Sequence, residues 1–192
     1  MNLHFRGVKN KRYNKNEETN KLPSGNLSLT TVVIHKEYHI NNYQRDGSQS
    51  NAKIGADFEN LAKKIIQDEL KIILQEQYSL NIGLTEREPK QHNFDLGNES
   101  YIVECKSHKW TSGNNIPSAK LTVWNEAMYY FLVAPKNYKK IFFMIKDYNQ
   151  KRKMTLAEYY LKTYRHLIPV DVEFWEYDEV QEKINILLER NI

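Results

Sequence analysis

The stretch QHNFDLGNESYIVECKSHK, residues 91–109, decides how the chain is read. Its centre is a short apolar strand, Tyr101-Ile102-Val103, running into Glu104-Cys105-Lys106. Side chains alternate across a strand, so Ile102, Glu104 and Lys106 share one face and Cys105 takes the other. A carboxylate and an ammonium are thus offered side by side at a strand end. Upstream, Phe94-Asp95-Leu96 is followed by Gly97-Asn98-Glu99-Ser100, polar residues that suit a hairpin turn. Asp95 faces Glu104 if that turn is centred between Glu99 and Ser100, since (95 + 104)/2 = 99.5. A tighter turn on Gly97-Asn98 would slide the two acids apart.

Working outward, Ile54, Phe58, Leu61, Ile65 and Ile72 recur at helical spacing and predict a helix from about Asn51 to about Glu76. Within Gly55-Ala56-Asp57-Phe58-Glu59-Asn60-Leu61-Ala62, Glu59 stands at the edge of the apolar stripe. Asp57, on the other side of Phe58, competes with it, and both also suit a helix start.

These residues resemble the PD-(D/E)XK nuclease superfamily, the restriction-endonuclease-like fold. Asp95 matches the hairpin acid, Glu104-Cys105-Lys106 the E-x-K element and Glu59 the earlier helical glutamate, over roughly Ile54 to Lys146. Phe94 stands where the family motif has proline. Two further E-x-K triplets, Glu69-Leu70-Lys71 and Glu88-Pro89-Lys90, do not end an apolar strand. The resemblance implies an α/β fold, a mixed central sheet flanked by helices. It also implies Mg²⁺ held by Asp95, Glu104, the Cys105 carbonyl and Glu59, with Lys106 holding the attacking water. Double-stranded DNA is the implied partner, cut by a homodimer of the type II restriction kind.

Composition is compatible with this. At 192 residues one domain with extensions is expected, and 40% hydrophobic with 12% aromatic residues suffices for a core. No run of about 18 apolar residues predicts a membrane span. Residues 1–22 carry no apolar segment of the signal-peptide kind. The one cysteine, Cys105, excludes an internal disulfide or a multi-cysteine zinc site. These features point to a cytoplasmic protein. Net charge is +4, but residues 105–153 hold ten Lys and Arg against Glu126 and Asp147, or 10 − 2 = +8. Such a basic half suits a polyanion, and equally an ordinary solvated surface.

Residues 1–50 read as a basic arm with one or two strands in Leu27–Ile40, where His35 and His39 share a strand face without a visible third ligand. Residues 51–192 form the expected nuclease core. Within it, Tyr78 to Lys90 reads as irregular. Ser107 to Asn115 reads as a loop beyond the site strand, making His108, Lys109 and Trp110 candidates for DNA contact. Trp110 serves equally well as packing. A helix starts at Pro117-Ser118 and ends before Pro135, with Lys120, Asn125 and Tyr129 as its candidate polar contacts. Lys140 to Asp147 reads as a buried strand, giving a strand–helix–strand crossover. Met154 to Leu167 then reads as a helix, Asp171 to Tyr177 as a strand at an edge, and Val180 to Leu188 as a final helix. A DNA repair or junction-resolving nuclease of the same fold, a non-catalytic nucleic-acid-binding module and a structural protein with a plain Glu104–Lys106 ion pair are the competing expectations.

Overall fold

Alternation and apolar runs build a sheet here, and two amphipathic helix faces cover it. The computed structural model describes residues 51–85 and 87–189. The basic arm, its expected strands and the His35/His39 pair lie outside the described residues. Among the described residues the fold is α/β, with three helices and a mixed central sheet of six strands. The order is α1 (Asn51–Leu70), β1 (Gln75–Ile82), β2 (Lys90–Gly97), β3 (Tyr101–Lys106), α2 (Ser118–Val133), β4 (Lys139–Ile145), β5 (Tyr148–Asn149), β6 (Met154–Thr155), α3 (Leu156–Tyr164), β7 (Val172–Asp178) and β8 (Lys183–Leu188).

The large sheet runs β1-β2-β3-β4-β7-β8, while β5 and β6 form a small separate ribbon. The inner pairs β3/β4 and β4/β7 are parallel; β1/β2, β2/β3 and β7/β8 are antiparallel. Parallel strands need both faces covered, which explains the continuous burial of Lys140 to Ile145. On one face α1 packs Ile54, Phe58, Ala62, Ile65 and Ile66 against a set that includes Val103, Cys105, Ile141 and Phe143. On the other, Leu121, Trp124, Met128 and Phe131 of α2 and Tyr160 of α3 pack with Phe94, Ile102, Phe142 and Phe174. Each such large side chain contributes roughly 1.5–3 kcal/mol on full burial.

The crossover β3–α2–β4 joins parallel strands, so the loops after β3 and β4 leave the sheet at one end. That end carries Lys106. A buried ammonium fixes the crossover: Lys140 of β4 donates to the carbonyls of Phe131 (2.7 Å) and Ala134 (3.4 Å) and to Asp171 Oδ2 (2.7 Å). Thr155 caps α3, accepting from the Glu158 N–H while Glu158 accepts from the Thr155 N–H.

Four expectations need correction. Helix α1 stops at Leu70 because Lys71 adopts φ 54°, a left-handed step that ends a helix. The segment read as irregular contains β1, whose alternation of Tyr78, Leu80 and Ile82 pairs it with β2. Strand β7 is interior, because β8 covers its outer edge. The final helix is absent: Lys183–Leu188 is strand β8, and the residue that anchored the helical pattern, Val180, is 90% exposed.

Candidate active site

The turn between β2 and β3 sets the register on which the acids depend. Asn98 closes it, its N–H donating to the Tyr101 carbonyl at 2.9 Å. Its side-chain oxygen accepts from the N–H groups of Ser100 and Tyr101, both at 2.9 Å. Leu96 then pairs with Val103 and Gly97 with Ile102, which is the register centred between Glu99 and Ser100. Gly97 is required by close approach, since a Cβ there would stand 2.6–2.8 Å from the Tyr78 ring and its Cβ.

Beyond Leu96 the ladder between β2 and β3 stops, and Asp95 takes over with its side chain. Asp95 Oδ2 accepts from the Cys105 N–H at 2.7 Å. Strand alternation breaks at the same residue: Phe94 joins the α2 core and Leu96 the α1 core, although they are two residues apart. On β1 the pairing skips Gln77, which has φ 51°. At this irregularity the Asp95 carboxylate reaches the end of β3.

There Lys106 Nζ lies 2.6 Å from Glu104 Oε2 and 3.4 Å from Asp95 Oδ2. All three side chains are less than a fifth exposed. Burial works against the Lys106 charge, but Glu104 and Asp95 outweigh it and raise its pKa, so the ammonium stays charged. Burial raises Asp95 and the nearby Glu104 adds to this, against the opposing pull of Lys106 and the Cys105 N–H. Glu104 moves the other way: burial opposes its charge, yet His92 and Lys106 hold it below the ordinary carboxylate range.

Glu59 on α1 is linked to the group through its electrostatics. Burial lifts its pKa from 4.5 to about 7, with Asp95 and Glu104 contributing and Lys106 opposing. Each of the other three site charges therefore acts on Glu59. Cys105 Sγ is buried in the α1 core and its thiol pKa is raised well above normal, first by burial, so it is an inert packing group.

His92 escaped sequence reading. Its ring stacks on Tyr130 with centroids 3.8 Å apart and meets Phe94 edge-on at 4.7 Å. Nε2 is buried without a hydrogen-bond partner and lies 3.5 Å from Glu104 Oε1, close enough to act through its charge or dipole. Its position two residues before buried Phe94 was the available signal.

The expected DNA contacts are mostly engaged elsewhere. Trp110 is buried, its N–H donating to Asp147 Oδ2 (2.6 Å) and its indole N–H to the Asp147 carbonyl (3.0 Å). It is therefore a packing residue. His108 Nδ1 accepts from the Trp124 indole N–H at 2.9 Å, and burial, with help from Lys120 and Lys106, lowers its pKa to about 4. It is a neutral acceptor at physiological pH. Asn125 Oδ1 accepts from the Tyr160 hydroxyl at 2.8 Å, and Lys109 pairs with Glu179 at 3.5 Å. Lys120 is exposed. The basic half is thus partly spent on acids of the C-terminal segment: Lys140 pairs with Asp171 and Lys146 with Asp178.

The carboxylates offer the hard oxygen chemistry that suits Mg²⁺. The raised pKa of Glu59 comes first from burial, with Asp95 and Glu104 adding to it against Lys106. In chemistry and charge the residues fit a divalent cation. The acids are not drawn into a coordination shell, however: among the described residues no group of three His, Cys, Asp or Glu side chains is arranged to hold a metal. Lys106 stands between Asp95 and Glu104 and supplies the positive charge there. Among the described residues no helix is long and apolar enough to cross a membrane. Comparison with protein-family models, curated proteins and solved structures gave no match.

Proposed function

We propose that the chain is a Mg²⁺-dependent endodeoxyribonuclease with a restriction-endonuclease-like fold, acting on double-stranded DNA. The observation that carries this reading is the meeting of Asp95, Glu104 and Lys106 at the open end of β3, under the electrostatic influence of Glu59. At the irregularity around Asp95 two carboxylates from neighbouring strands share a site, at the end where the β3 and β4 loops leave the sheet. Asp95, Glu104 and the Cys105 carbonyl would hold the cation, with Glu59 beside them. When bound, Mg²⁺ would offset phosphodiester charge and make water a better nucleophile. Lys106, kept charged by its two acids, would orient that water and stabilise the charge that builds on the phosphoryl oxygens. A homodimer of the type II restriction kind, each subunit cutting one strand, would let two copies of this site cut both strands of a duplex.

One observation favours a second reading. Lys106 already neutralises Asp95 and Glu104 at 3.4 and 2.6 Å, as a structural ion-pair cluster in a non-catalytic nucleic-acid-binding module would. Plasmid cleavage separates the two. The nuclease reading expects Mg²⁺-dependent cutting by the wild type that is lost in Asp95→Ala and Lys106→Ala, with DNA binding retained in at least one. Binding without cutting, in Mg²⁺ or Mn²⁺, would establish the second reading.

A further inference from the structure

The loops that leave the sheet beside Lys106 enclose a second feature. A cavity of about 460 Å³ lies between the β3–α2 loop, the β5–β6 turn and α3. Its wall carries Lys151, Arg152 and Lys162 and no acidic residue. None of these three cations forms an ion pair among the described residues, whereas Lys109, Lys140 and Lys146 in the same basic half each face an acid. Lys151 and Arg152 of that half and Lys162 beyond it thus bring three cations without an acid partner to one concave place, while Lys120, Lys136, Lys139 and Lys153 lie outside it.

The cavity is built, not merely lined. Asp147 fastens the β3–α2 loop to the end of β4 through both N–H groups of Trp110. Asn149 then closes the β5–β6 turn, its side chain accepting from the Arg152 N–H at 3.0 Å and its carbonyl from the Lys153 N–H at 2.7 Å. The turn lays the Arg152 guanidinium over the Trp110 ring at 5.3 Å and near the Tyr159 ring at 6.0 Å. Cation–π contact of this kind orients the fork while leaving its N–H edges available. Asn149 also donates to Asn114 Oδ1 at 3.4 Å, which leaves the Asn114 amide donors for another partner. Tyr159 adds an aromatic surface and Asn115 a second amide.

We propose that this cavity binds one unpaired nucleotide, its phosphate met by Arg152, Lys151 and Lys162 and its base by Tyr159 and the amides of Asn114 and Asn115. The chemistry fits each part: cations for the phosphate, amides for base edges and a ring for stacking. The volume lies in the range of pockets that hold one small ligand. The choice of a nucleic acid constituent rests on the nuclease or nucleic-acid-binding reading of the neighbouring site. The nucleotide belongs either to a strand or to a free nucleoside monophosphate.

Fluorescence anisotropy with a labelled single-stranded oligonucleotide tests this, using the full chain in EDTA so that cleavage plays no part. Unlabelled dAMP and inorganic phosphate serve as competitors. Arg152→Ala and Lys162→Ala are each expected to weaken binding by about ten-fold and to flatten the salt dependence by roughly 0.7 per lost phosphate contact. Lys136→Ala, an exposed lysine outside the cavity, is expected to change it by less than about two-fold. Competition by dAMP that is lost in Arg152→Ala would identify a free nucleotide as sufficient; binding of the strand without competition would identify the strand. Phosphate competing as well as dAMP would overturn the proposal in favour of a plain anion site. Unchanged affinity in both cavity variants, with wild-type melting curves, would also overturn it. Failure of Asp95→Ala or Lys106→Ala to affect cleavage would instead remove the nuclease reading and leave this binding result intact.

Discussion

Glu59→Gln should make the protein more stable and, on the proposed nuclease reading, slow its cleavage of DNA. Glu59 has a folded pKa of about 7 against an ordinary 4.5, so the folded state binds its proton more tightly than the unfolded chain does. By linkage, stability falls as pH rises from 4.5 toward 7, because ionisation in the folded state is opposed by burial and by Asp95. The full shift corresponds to roughly 3.4 kcal/mol, and solvent access to this half-buried side chain reduces that to ~1–2 kcal/mol. Glutamine keeps the shape and removes the charge. Melting curves should therefore coincide for wild type and variant at about pH 4 and separate by roughly 3–8 °C at about pH 8, the variant being higher. Saturating Mg²⁺ should raise the wild-type melting temperature at about pH 8 and narrow the gap, because a cation stabilises the ionised acid only where one exists. Plasmid cleavage should fall in the same variant, a trade of function against stability. Equal melting temperatures at both pH values would refute the claim that burial and the neighbouring acids oppose ionisation of Glu59 in the folded state.

Three other expectations follow from single contacts. Lys106→Ala leaves two buried carboxylates facing each other, so urea denaturation near pH 7 should show a loss of roughly 3 kcal/mol, smaller near pH 4 where the acids protonate; a pH-independent loss would contradict the assigned electrostatics. Its cleavage rate should drop by at least ~100-fold. Gly97→Ala drives a methyl into Tyr78 and should cost about 1–3 kcal/mol by the same denaturation assay, whereas a neutral result would mean that β1 yields easily. Lys140→Met should cost roughly 3 kcal/mol, since Asp171 and two helix carbonyls lose their shared donor, and a change under about 0.5 kcal/mol would argue against that role.

The parts of the fold that burial dictates were readable in the sequence. Val103, Ile141–Ile145 and the stripe Leu121, Trp124, Met128 and Phe131 are apolar because both faces of an inner parallel pair are covered. Edge elements were not, for the converse reason. Strand β1 buries only Ile82 fully, and its Tyr78 and Leu80 sit among polar neighbours. In β8 no residue is fully buried, so its apolar residues satisfied a helical spacing as readily as a strand's. The site was half readable. The spacing of Asp95 and Glu104 allowed the register without choosing it, because the sequence offered a tighter turn on Gly97-Asn98 equally; the Asn98 contacts to Ser100 and Tyr101 decide it. The break in alternation at Asp95 lies opposite the left-handed Gln77, a residue type that announces no such conformation. His92 was hidden because its significance comes from Tyr130, thirty-eight positions later, across the fold.

The Lys140 ammonium has a consequence for how the chain is made. It is 1% exposed, and its one carboxylate partner among the described residues, Asp171, lies thirty-one residues downstream. During synthesis from the ribosome, the β3–α2–β4 segment emerges before that carboxylate exists. Until Asp171 arrives, docking α2 tightly would strand an uncompensated cation in the interior. The crossover should therefore remain loosely seated on the nascent chain and lock only when the start of β7 is translated, which ties completion of the central sheet to the arrival of its C-terminal third.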